Sequence, residues 1–263
     1  MAGWTQKSLA EKVSGMDPET ALAWLLETDP ETGGKAEKLV GIQMRRLQLR
    51  ERERARLSSL RSMEVDLWRE GFRFVGGIDE AGRGPLAGPV AAACVILPGA
   101  VWLEKLDDSK KLSPSTRDRL YAEIRQKAVA WGVGICDAGY IDRVNILQAT
   151  KKAMILAVSA MKQAPDALII DAIRLELDFR QVSVPRADSL CAAVSAASVM
   201  AKVTRDRMMD AMDARYPEYG FIRNKGYGTA EHIEAIRKYG LTPIHRRSFT
   251  RGMMSEERES HAE

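Results

Sequence analysis

Residues 76–89, GGIDEAGRGPLAGP, join two apolar stretches and carry two adjacent acids, Asp79 and Glu80. A glycine-rich turn centred on Arg83 follows the two acids. Packing alone does not favour neighbouring carboxylates at the end of an apolar strand, because a buried charge costs free energy unless it is paired. The segment therefore marks a candidate site, and the pattern around it decides the fold.

The sequence around this segment alternates between strand and helix patterns. Apolar runs at residues 72–79 and 90–97 predict two strands that the glycine turn connects. Further strands are predicted at residues 129–136 and 167–170, and helices at residues 114–130, 141–162, 189–215 and 229–239. This alternation is typical of an α/β domain with a mixed sheet, which we place at residues 71–250.

The first 70 residues have a different texture and predict a helical extension over residues 1–70. Asp17 as the cap and Pro18 in the first turn start one helix. The Asp-Pro pair at residues 29–30 and the Gly-Gly pair at residues 33–34 are expected to break that helix. A longer helix is predicted over residues 36–70.

Arginines outnumber acids in the middle of the longer helix, MRRLQLRERERARL at residues 44–57. Glu and Arg at one-turn spacing are typical of a solvated helix surface with mixed ion pairs. The excess of positive charge is also typical of a face that binds nucleic-acid phosphates. Both interpretations stay open, and no aromatic residues interleave with the charges to indicate base stacking.

Composition indicates a globular protein without disulfides or membrane spans. The 263 residues are 45% hydrophobic and 29% charged, with a net charge of +4. Cys94, Cys136 and Cys191 are widely spaced in apolar contexts, so we expect reduced, buried thiols. No signal peptide is evident, and no run approaches the roughly 20 apolar residues that span a bilayer. We predict a cytoplasmic, monomeric protein whose polar tail, residues 251–263, is disordered.

Four acids share a position at the end of an apolar run or at the start of a helix. They are Asp79, Glu80, Asp171 and Asp188. The ends of strands are where α/β domains place their sites. Carboxylates brought together repel one another, and hard oxygen ligands without His or Cys suit Mg²⁺ or Mn²⁺. Such ions support phosphodiester cleavage, so the set fits a metal-dependent nuclease.

Each acid also has a simpler interpretation. Asp188 fits the N-cap of the following helix, and Asp171 could accept a hydrogen bond from a loop amide. Asp79 and Glu80 could pair with Arg83 in a surface network. The glycine turn is equally open: it lacks the Lys-Ser/Thr ending of a phosphate-binding P-loop, although glycine lets backbone amides come close to a ligand.

Five blocks in this order resemble the bacterial ribonuclease HII family. They are GGIDEAGRGPLAGPV at residues 76–90, DDSKKLS at 107–113, LIIDA at 168–172, ADSLCAAVSAASVMAKVTRD at 187–206 and NKGYGT at 224–229. The resemblance covers roughly residues 72–249. The helical extension lies outside it and is similar to one carried by some members of the family.

The resemblance implies a ribonuclease H-like mixed sheet flanked by helices and a metal-dependent endoribonuclease. Such an enzyme hydrolyses the RNA strand of RNA–DNA hybrids and cuts on the 5′ side of a single ribonucleotide in duplex DNA, leaving a 3′-hydroxyl and a 5′-phosphate. By motif, two divalent ions, Mn²⁺ or Mg²⁺, are expected on Asp79, Glu80, Asp171 and Asp188.

The same resemblance implies substrate contacts. It implies that Gly82, Arg83 and Gly84 recognise the ribonucleotide. This role is physically reasonable, because the 2′-hydroxyl distinguishes RNA from DNA and backbone groups freed by glycine can reach it. Tyr227 matches a tyrosine that packs against the sugar of the next nucleotide. The remaining candidates are Ser109 and Lys110 for phosphate and, more weakly, Asn145, Gln148, Lys202 and His245 for the strands. Taken alone, Tyr227 could be a loop aromatic over the core, and Lys110 a solvated lysine.

Two other functions stay open at this point. One is a ribonuclease HIII-like enzyme, which prefers longer RNA stretches. The other is a non-catalytic nucleic-acid-binding protein that uses the arginine-rich helix. The four acids speak against a pure phosphate binder, because clustered negative charge repels phosphates. The sequence identifies no protein that would recruit this chain to DNA.

Overall fold

The computed structural model describes residues 4–32 and 34–251, without the side chains of residues 29–31. The chain divides into two compact units, Met1–Ser59 and Leu60–Glu263. The tail that was predicted to be disordered is residues 251–263, and all of it except Arg251 lies outside the described residues.

The described residues of the first unit form the helices α1 (Gln6–Val13), α2 (Pro18–Thr32) and α3 (Glu37–Ser59). Its core is small and apolar: Leu9, Val13, Ala21, Leu25 and Ala36 are buried, and the Trp4 ring meets the Trp24 ring edge-on. Asp17 accepts hydrogen bonds from two main-chain amides of the first turn of α2, so its predicted capping role is confirmed. Pro30 does not break α2 as predicted, because a proline in the last turn removes only one amide donor. The helix continues to Thr32 and ends directly before the predicted break at Gly33-Gly34.

The predicted single helix over residues 36–70 is also wrong. It breaks after Ser59, and a separate helix, α4 (Ser62–Arg69), belongs to the second unit. Two contacts fix α4 there: Leu67 is buried in the core of that unit, and the carboxylate of Glu64 accepts a hydrogen bond from the amide of Ala193 at 2.9 Å.

A five-stranded mixed sheet forms the centre of the second unit. The strands are β1 (Val75–Ala81), β2 (Val90–Ile96), β3 (Ala130–Cys136), β4 (Ala167–Asp171) and β5 (Arg180–Val184). Their order is β3-β2-β1-β4-β5, with β1–β2 and β2–β3 antiparallel and β1–β4 and β4–β5 parallel. The predicted mixed sheet is confirmed. No pattern predicted β5, because this edge strand is only partly buried and alternates with polar residues.

The second unit also contains the helices α5 (Pro114–Lys127), α6 (Ala138–Val144), α7 (Ile146–Ser159), α8 (Ala192–Arg215), α9 (Phe221–Asn224) and α10 (Ala230–Tyr239). Of these, α7 and α8 pack on the sheet. Glycines let these two helices approach closely. A Cβ at Gly77 would lie 2.2 Å from the carbonyl carbon of Ala193 on α8, and one at Gly134 would lie 2.0 Å from the carbonyl oxygen of Ala153 on α7.

Of two further predicted helices, one is interrupted in the structure and the other is capped as predicted. The helix predicted over residues 141–162 is interrupted at Asn145, which has φ +72° and caps α7 through its side chain. The predicted cap of α10 is confirmed, since Thr229 accepts a hydrogen bond from the His232 amide and Gly240 follows the helix with φ +79°.

Two further expectations concern the thiols and the membrane. Cys94, Cys136 and Cys191 are free and buried, as predicted. Among the described residues, no helix has both the length and the apolar character needed to cross a membrane.

Candidate active site

Two parallel strands end side by side in acids. Ile78 of β1 pairs with Ile170 of β4, so the next residues along the strands, Asp79 and Asp171, are neighbours at the carboxyl ends. Because side chains alternate along a strand, Asp79 lies on the same face as Gly77, which packs against α8. Asp79 is only 4% exposed.

The loop after β5 brings the fourth acid to this edge of the sheet. Asp188 lies in a short 3₁₀ turn, Ala187–Ser189, and is buried. One oxygen of Asp171 accepts hydrogen bonds from the amides of Arg186 at 2.6 Å and Ala187 at 3.4 Å. Asp171 therefore holds the turn that carries Asp188, and the loop-amide interpretation of Asp171 is confirmed.

Asp188 does not cap the helix that follows it. The N-cap of α8 is Cys191, which makes no side-chain capping bond. The hydroxyl of Ser195 instead donates to the carbonyl oxygen of Asp188 at 2.6 Å. The N-cap interpretation of Asp188 is therefore wrong, and its carboxylate does not serve to satisfy the start of α8.

Burial and mutual repulsion disfavour the ionised forms of Asp79, Glu80 and Asp188. Burial raises the pKa of Asp79 well above its usual value, the charges of Glu80 and Asp188 add to the shift, and a hydrogen bond with Ser198 opposes it. Burial likewise raises the pKa of Glu80. The pKa of Asp188 is raised by burial and by the nearby charge of Asp108. A cation at this edge of the sheet would relieve the repulsion.

Two basic side chains partly neutralise the negative charge of the acids. Arg83 forms an ion pair with Glu80 at 3.3 Å, and the Lys110 ammonium lies 3.4 Å from Asp188 and 3.8 Å from Asp108. The interpretation of a network between Arg83 and its neighbouring acids is therefore confirmed for Glu80. Lys110 is 75% exposed, so its positive charge is accessible at the rim of the site.

The donor set fits a hard divalent cation. The second carboxylate oxygen of Glu80 is buried without a hydrogen-bond partner, which is the environment that a metal ion would satisfy. All four acids offer oxygen donors of the kind that Mg²⁺ and Mn²⁺ prefer. Within residues 4–32 and 34–251, no three His, Cys, Asp or Glu side chains are grouped closely enough to hold an ion as they stand.

Ser109 lies beneath the site rather than on its surface. It is 3% exposed, and its hydroxyl shares a hydrogen bond with the Ser198 hydroxyl at 2.9 Å. Ser198 in turn contacts the carboxylate of Asp79. The two serines therefore link the 107–113 loop to the acids, and they leave Lys110 as the exposed member of that loop pair.

Two buried arginines hold the glycine turn from the interior. The Arg246 guanidinium donates to the carbonyl oxygens of Gly82 at 2.6 Å, Arg83 at 2.9 Å and Gly88 at 2.9 Å. Burial, together with the charge of Arg205, lowers the pKa of Arg246 to about 9. The turn is thus fixed through its main chain.

Arg205, on α8, completes this support. It donates to the carbonyl oxygens of Ala87 at 3.1 Å, Pro89 at 2.9 Å and Lys225 at 3.0 Å. Among the ion pairs of the described residues, none joins Arg205 or Arg246 to a carboxylate. Carbonyl oxygens therefore accept the hydrogen bonds of these two buried cations, and aromatic rings lie beside them, Tyr227 at Arg205 and Phe249 at Arg246.

Gly82 has a packing role that the sequence did not predict. A Cβ at Gly82 would lie 2.0 Å from Nε of Arg205, so the absent side chain makes room for this arginine. The peptide bonds of the described residues are trans. Since C=O and the following N–H point in opposite directions across a trans peptide, the inward carbonyls of Gly82 and Arg83 turn the N–H groups of Arg83 and Gly84 outward.

Tyr227 lies beside this outward surface. A Cβ on Gly84 would lie 3.8 Å from the Tyr227 ring, which is 45% exposed. The carbonyl oxygen of Gly226 accepts hydrogen bonds from the amides of Leu86 at 2.8 Å and Ala87 at 3.2 Å. The main chain therefore joins the tyrosine loop to the glycine turn, and the tyrosine ring is not a cover over the core.

The acids, the glycine turn and the tyrosine loop all lie within the range of residues that matches a known protein family. The profile described as Ribonuclease HII matches residues 76–252. Ribonuclease HII of Ruminiclostridium cellulolyticum is 45% identical over 255 residues, which is 97% of this chain and 100% of that protein. The protein of the same name from Geobacillus kaustophilus is 53% identical over 194 residues, 74% of this chain and 75% of its own length. The chain belongs to the ribonuclease HII family.

Solved structures share the ribonuclease H-like fold. Ribonuclease H2 from Pyrococcus horikoshii OT3 superimposes with a TM-score of 0.60 at 25% identity, covering 71% of this chain and 99% of that one. The ribonuclease HII of Archaeoglobus fulgidus, solved as a complex with PCNA, gives 0.56 at 26% identity over 66% of this chain and 94% of that one. Family membership makes this chain a metal-dependent ribonuclease, as predicted.

The weaker candidates fall into different environments. Asn145 and Gln148 are exposed at the start of α7, and within the described residues no hydrogen bond or ion pair joins them to the four acids. Lys202 pairs with Asp206 at 2.8 Å and lines a cleft of about 710 Å³ between α5, α8 and α9. His245 is 2% exposed and bonded inside the protein, so its ring does not face a substrate strand.

Four residues around the acids and the glycine turn were not predicted. They are Asp108, Ser198, Arg205 and Arg246. The only signal for Arg205 is a basic side chain on a helix whose inner face consists of small residues. Arg246 contacts carbonyls more than 150 residues earlier in the chain, at Gly82, and no local pattern indicates such a partner.

Proposed function

We propose that this chain hydrolyses the RNA strand of RNA–DNA hybrids and cuts on the 5′ side of single ribonucleotides in duplex DNA. Two divalent ions, Mg²⁺ or Mn²⁺, would be held by the four acids Asp79, Glu80, Asp171 and Asp188. Membership of the ribonuclease HII family supports the ribonuclease activity itself.

The observation that carries this proposal is the pair of adjacent strand ends. Asp79 and Asp171 are neighbours on parallel strands, the loop that Asp171 holds carries Asp188, and Glu80 retains a buried oxygen without a partner. Unpaired carboxylates at one edge of a sheet destabilise the fold unless a cation joins them. When bound, divalent ions at such a set activate water and stabilise the departing oxygen of a phosphodiester.

The protein's own groups would select the substrate. The outward N–H groups of Arg83 and Gly84 can donate to oxygens of a ribonucleotide, including its 2′-hydroxyl. The Tyr227 ring, next to Gly84, offers a flat apolar surface to the sugar of the following nucleotide. A deoxyribose fits that surface, whereas a second 2′-hydroxyl would be left unpaired against the ring. Lys110, exposed at the rim, adds a positive charge for a backbone phosphate.

The test uses three duplexes of one sequence: DNA alone, DNA with one ribonucleotide, and a strand with a run of ribonucleotides opposite DNA. We expect Mg²⁺- or Mn²⁺-dependent cleavage at the 5′ side of the single ribonucleotide, leaving a 3′-hydroxyl and a 5′-phosphate. Asp79→Asn should be inactive, and Asp66→Asn, at an exposed acid paired with Arg69, should cleave like the native chain. An intact single-ribonucleotide duplex with both metals would refute the proposal.

The same assay separates the two other functions. Cleavage only of the run of ribonucleotides would indicate a ribonuclease HIII-like preference. Equal binding of all three duplexes without cleavage would indicate a non-catalytic binder. The outward N–H groups beside an exposed tyrosine favour recognition of a single ribonucleotide, because they form one small reading surface at the acids.

We also propose a division of labour along the chain. The unit Leu60–Glu263 would carry catalysis as a monomer, and the unit Met1–Ser59 would add phosphate contacts through the arginines of α3. Arg45, Arg46 and Arg50 support this role because all three are exposed.

A further inference from the structure

Two buried histidines lie behind the tyrosine loop and have no part in the site described so far. His232, in the first turn of α10, is 0% exposed and His245 is 2% exposed. Their Nε2 atoms are 3.1 Å apart. The rings of Tyr219 and Phe221 pack around both, with centroid distances between 5.1 and 6.3 Å. A ring–ring hydrogen bond in an apolar surrounding requires one defined arrangement of protons.

The partners of the two rings determine that arrangement. Nδ1 of His245 lies 2.9 Å from the main-chain amide of Thr242, which can only donate, so this Nδ1 carries no proton. Nδ1 of His232 lies 2.8 Å from the carbonyl oxygen of Tyr227, which can only accept, so this Nδ1 carries a proton. In the neutral pair, Nε2–H of His245 therefore donates to Nε2 of His232.

The result is a directed chain of three hydrogen bonds from Thr242 through the two rings to Tyr227. The chain ends at the main chain of Tyr227, the residue proposed to contact the sugar. It begins at Thr242, and the residues that follow Thr242 also bind the main chain of the glycine turn. The Ile244 carbonyl oxygen accepts from the Gly88 amide at 2.8 Å, and the Arg246 amide donates to the Leu86 carbonyl oxygen at 2.8 Å.

We propose that His232, whose tautomer His245 fixes, is a positioning residue that sets the place of Tyr227 relative to the glycine turn, and thereby the preference for a ribonucleotide followed by deoxyribose. This inference rests on the substrate role proposed for Tyr227. His232 acts through the Tyr227 carbonyl and touches no substrate itself. Burial lowers the pKa of both rings, in accord with the neutral arrangement.

Two substitutions of the same histidine separate positioning from simple packing. In His232→Asn, the amide nitrogen takes the place of Nδ1 and can still donate to the Tyr227 carbonyl, while the link to His245 is lost. In His232→Gln, the amide takes the place of Nε2 and keeps the link to His245, while the donor to Tyr227 is lost. Each variant removes one hydrogen bond, so both should lose similar thermal stability.

The discriminating measurement is the ratio of kcat/KM for a duplex with one ribonucleotide to kcat/KM for a strand of consecutive ribonucleotides opposite DNA. We expect His232→Gln to lower this ratio about 10-fold, the effect of one hydrogen bond of ordinary strength. His232→Asn should keep the ratio within about threefold. Equal losses of the ratio in both variants would overturn the inference.

A cycle with Tyr227→Ala tests whether the effect passes through the tyrosine. In the Tyr227→Ala background, His232→Gln should change the ratio no further. A ratio unaffected by Tyr227→Ala alone would refute the substrate role of Tyr227 and the inference with it. A ratio that responds to Tyr227→Ala but not to His232→Gln would refute the inference alone.

Nitrogen-15 NMR of the histidine rings gives a readout that does not depend on activity. At pH 7 the spectra of the full chain should show a protonated Nδ1 for His232 and a protonated Nε2 for His245. Two rings with the same tautomer, or a charged ring, would overturn the proposed hydrogen-bond chain.

Discussion

The acids at the sheet edge and the arginines behind the glycine turn are both buried charged groups, yet they differ in how they are satisfied. Arg205 and Arg246 direct their donors to carbonyl oxygens that are fixed in the same fold. Asp79 is buried next to other acids, and Glu80 keeps an oxygen without a partner. The two arginines thus belong to the framework of the domain, whereas the repulsion among the acids leaves a demand for a cation from solution.

The largest expected effect concerns the satisfied side of this comparison. Arg246→Met should destabilise the fold by about 3 kcal/mol or more, because three buried carbonyl oxygens lose their donor. Urea unfolding at pH 7 measures this change. Arg247→Met is the matched control, since Arg247 is exposed and should tolerate the same change with little cost. Equal effects of the two substitutions would erase the distinction.

The unsatisfied side should respond with the opposite sign. Asp79→Asn should raise the free energy of unfolding by about 1 kcal/mol without divalent ions, because it removes a buried charge that Glu80 and Asp188 repel. The same variant should lose cleavage. Urea unfolding in EDTA, beside Asp66→Asn, gives the measurement. A loss of stability in Asp79→Asn would show that its charge is satisfied within the fold.

The histidine pair lies between these extremes and gives a pH test. The pKa of His245 is lowered from 6.5 to about 4 by burial and by His232. Between these pH values the unfolded chain binds a proton that the folded chain does not, so stability falls as the pH falls. The slope for one proton is about 1.4 kcal/mol per pH unit. His245→Asn should have a shallower slope than the native chain from pH 6.5 to 4.5 and a parallel curve above pH 7.

The smallest effect is expected from the exposed arginines, which need no partner in the fold. Replacing Arg45 and Arg46 on α3 by Gln should leave stability unchanged and reduce the salt dependence of duplex binding by about 0.9 in log–log slope for each lost phosphate contact. Lys7→Gln with Lys12→Gln, at two exposed positions of α1, is the control. An unchanged slope in the α3 variant would assign α3 to another role.

Local patterns predicted the elements around the acids well. Apolar runs gave β1, β2, β3 and β4, and the strand ends indicated that Asp79 and Asp171 lie together. These features depend on neighbours in sequence and on the regular geometry of parallel strands. The mixed sheet could be predicted for the same reason.

The sequence could not predict what depends on distant partners. The need for glycine at position 82 depends on Arg205, which packs against it. The burial of Arg246 depends on carbonyl oxygens that lie more than 150 residues earlier in the chain. In the sequence, His245 is a polar residue near a motif, and no local pattern indicates that its ring is buried against His232. The break at Asn145 was missed because its left-handed backbone leaves no trace in hydrophobic periodicity.

The attachment of α4 to α8 limits where this chain can be shortened. The carbonyl oxygen of Leu60, two residues before α4, accepts a hydrogen bond from the amide of Ala192, and the carboxylate of Glu64 on α4 accepts one from the amide of Ala193. Residues 60–64 therefore satisfy two donors in the first turn of a helix whose N-cap makes no side-chain capping bond. A fragment that begins at Leu60 keeps both acceptors. A fragment that begins after Glu70 leaves the amides of Ala192 and Ala193 without their acceptors, at the start of the helix that carries Ser198. We expect that fragment to show its fastest proteolysis and amide hydrogen exchange at this helix start.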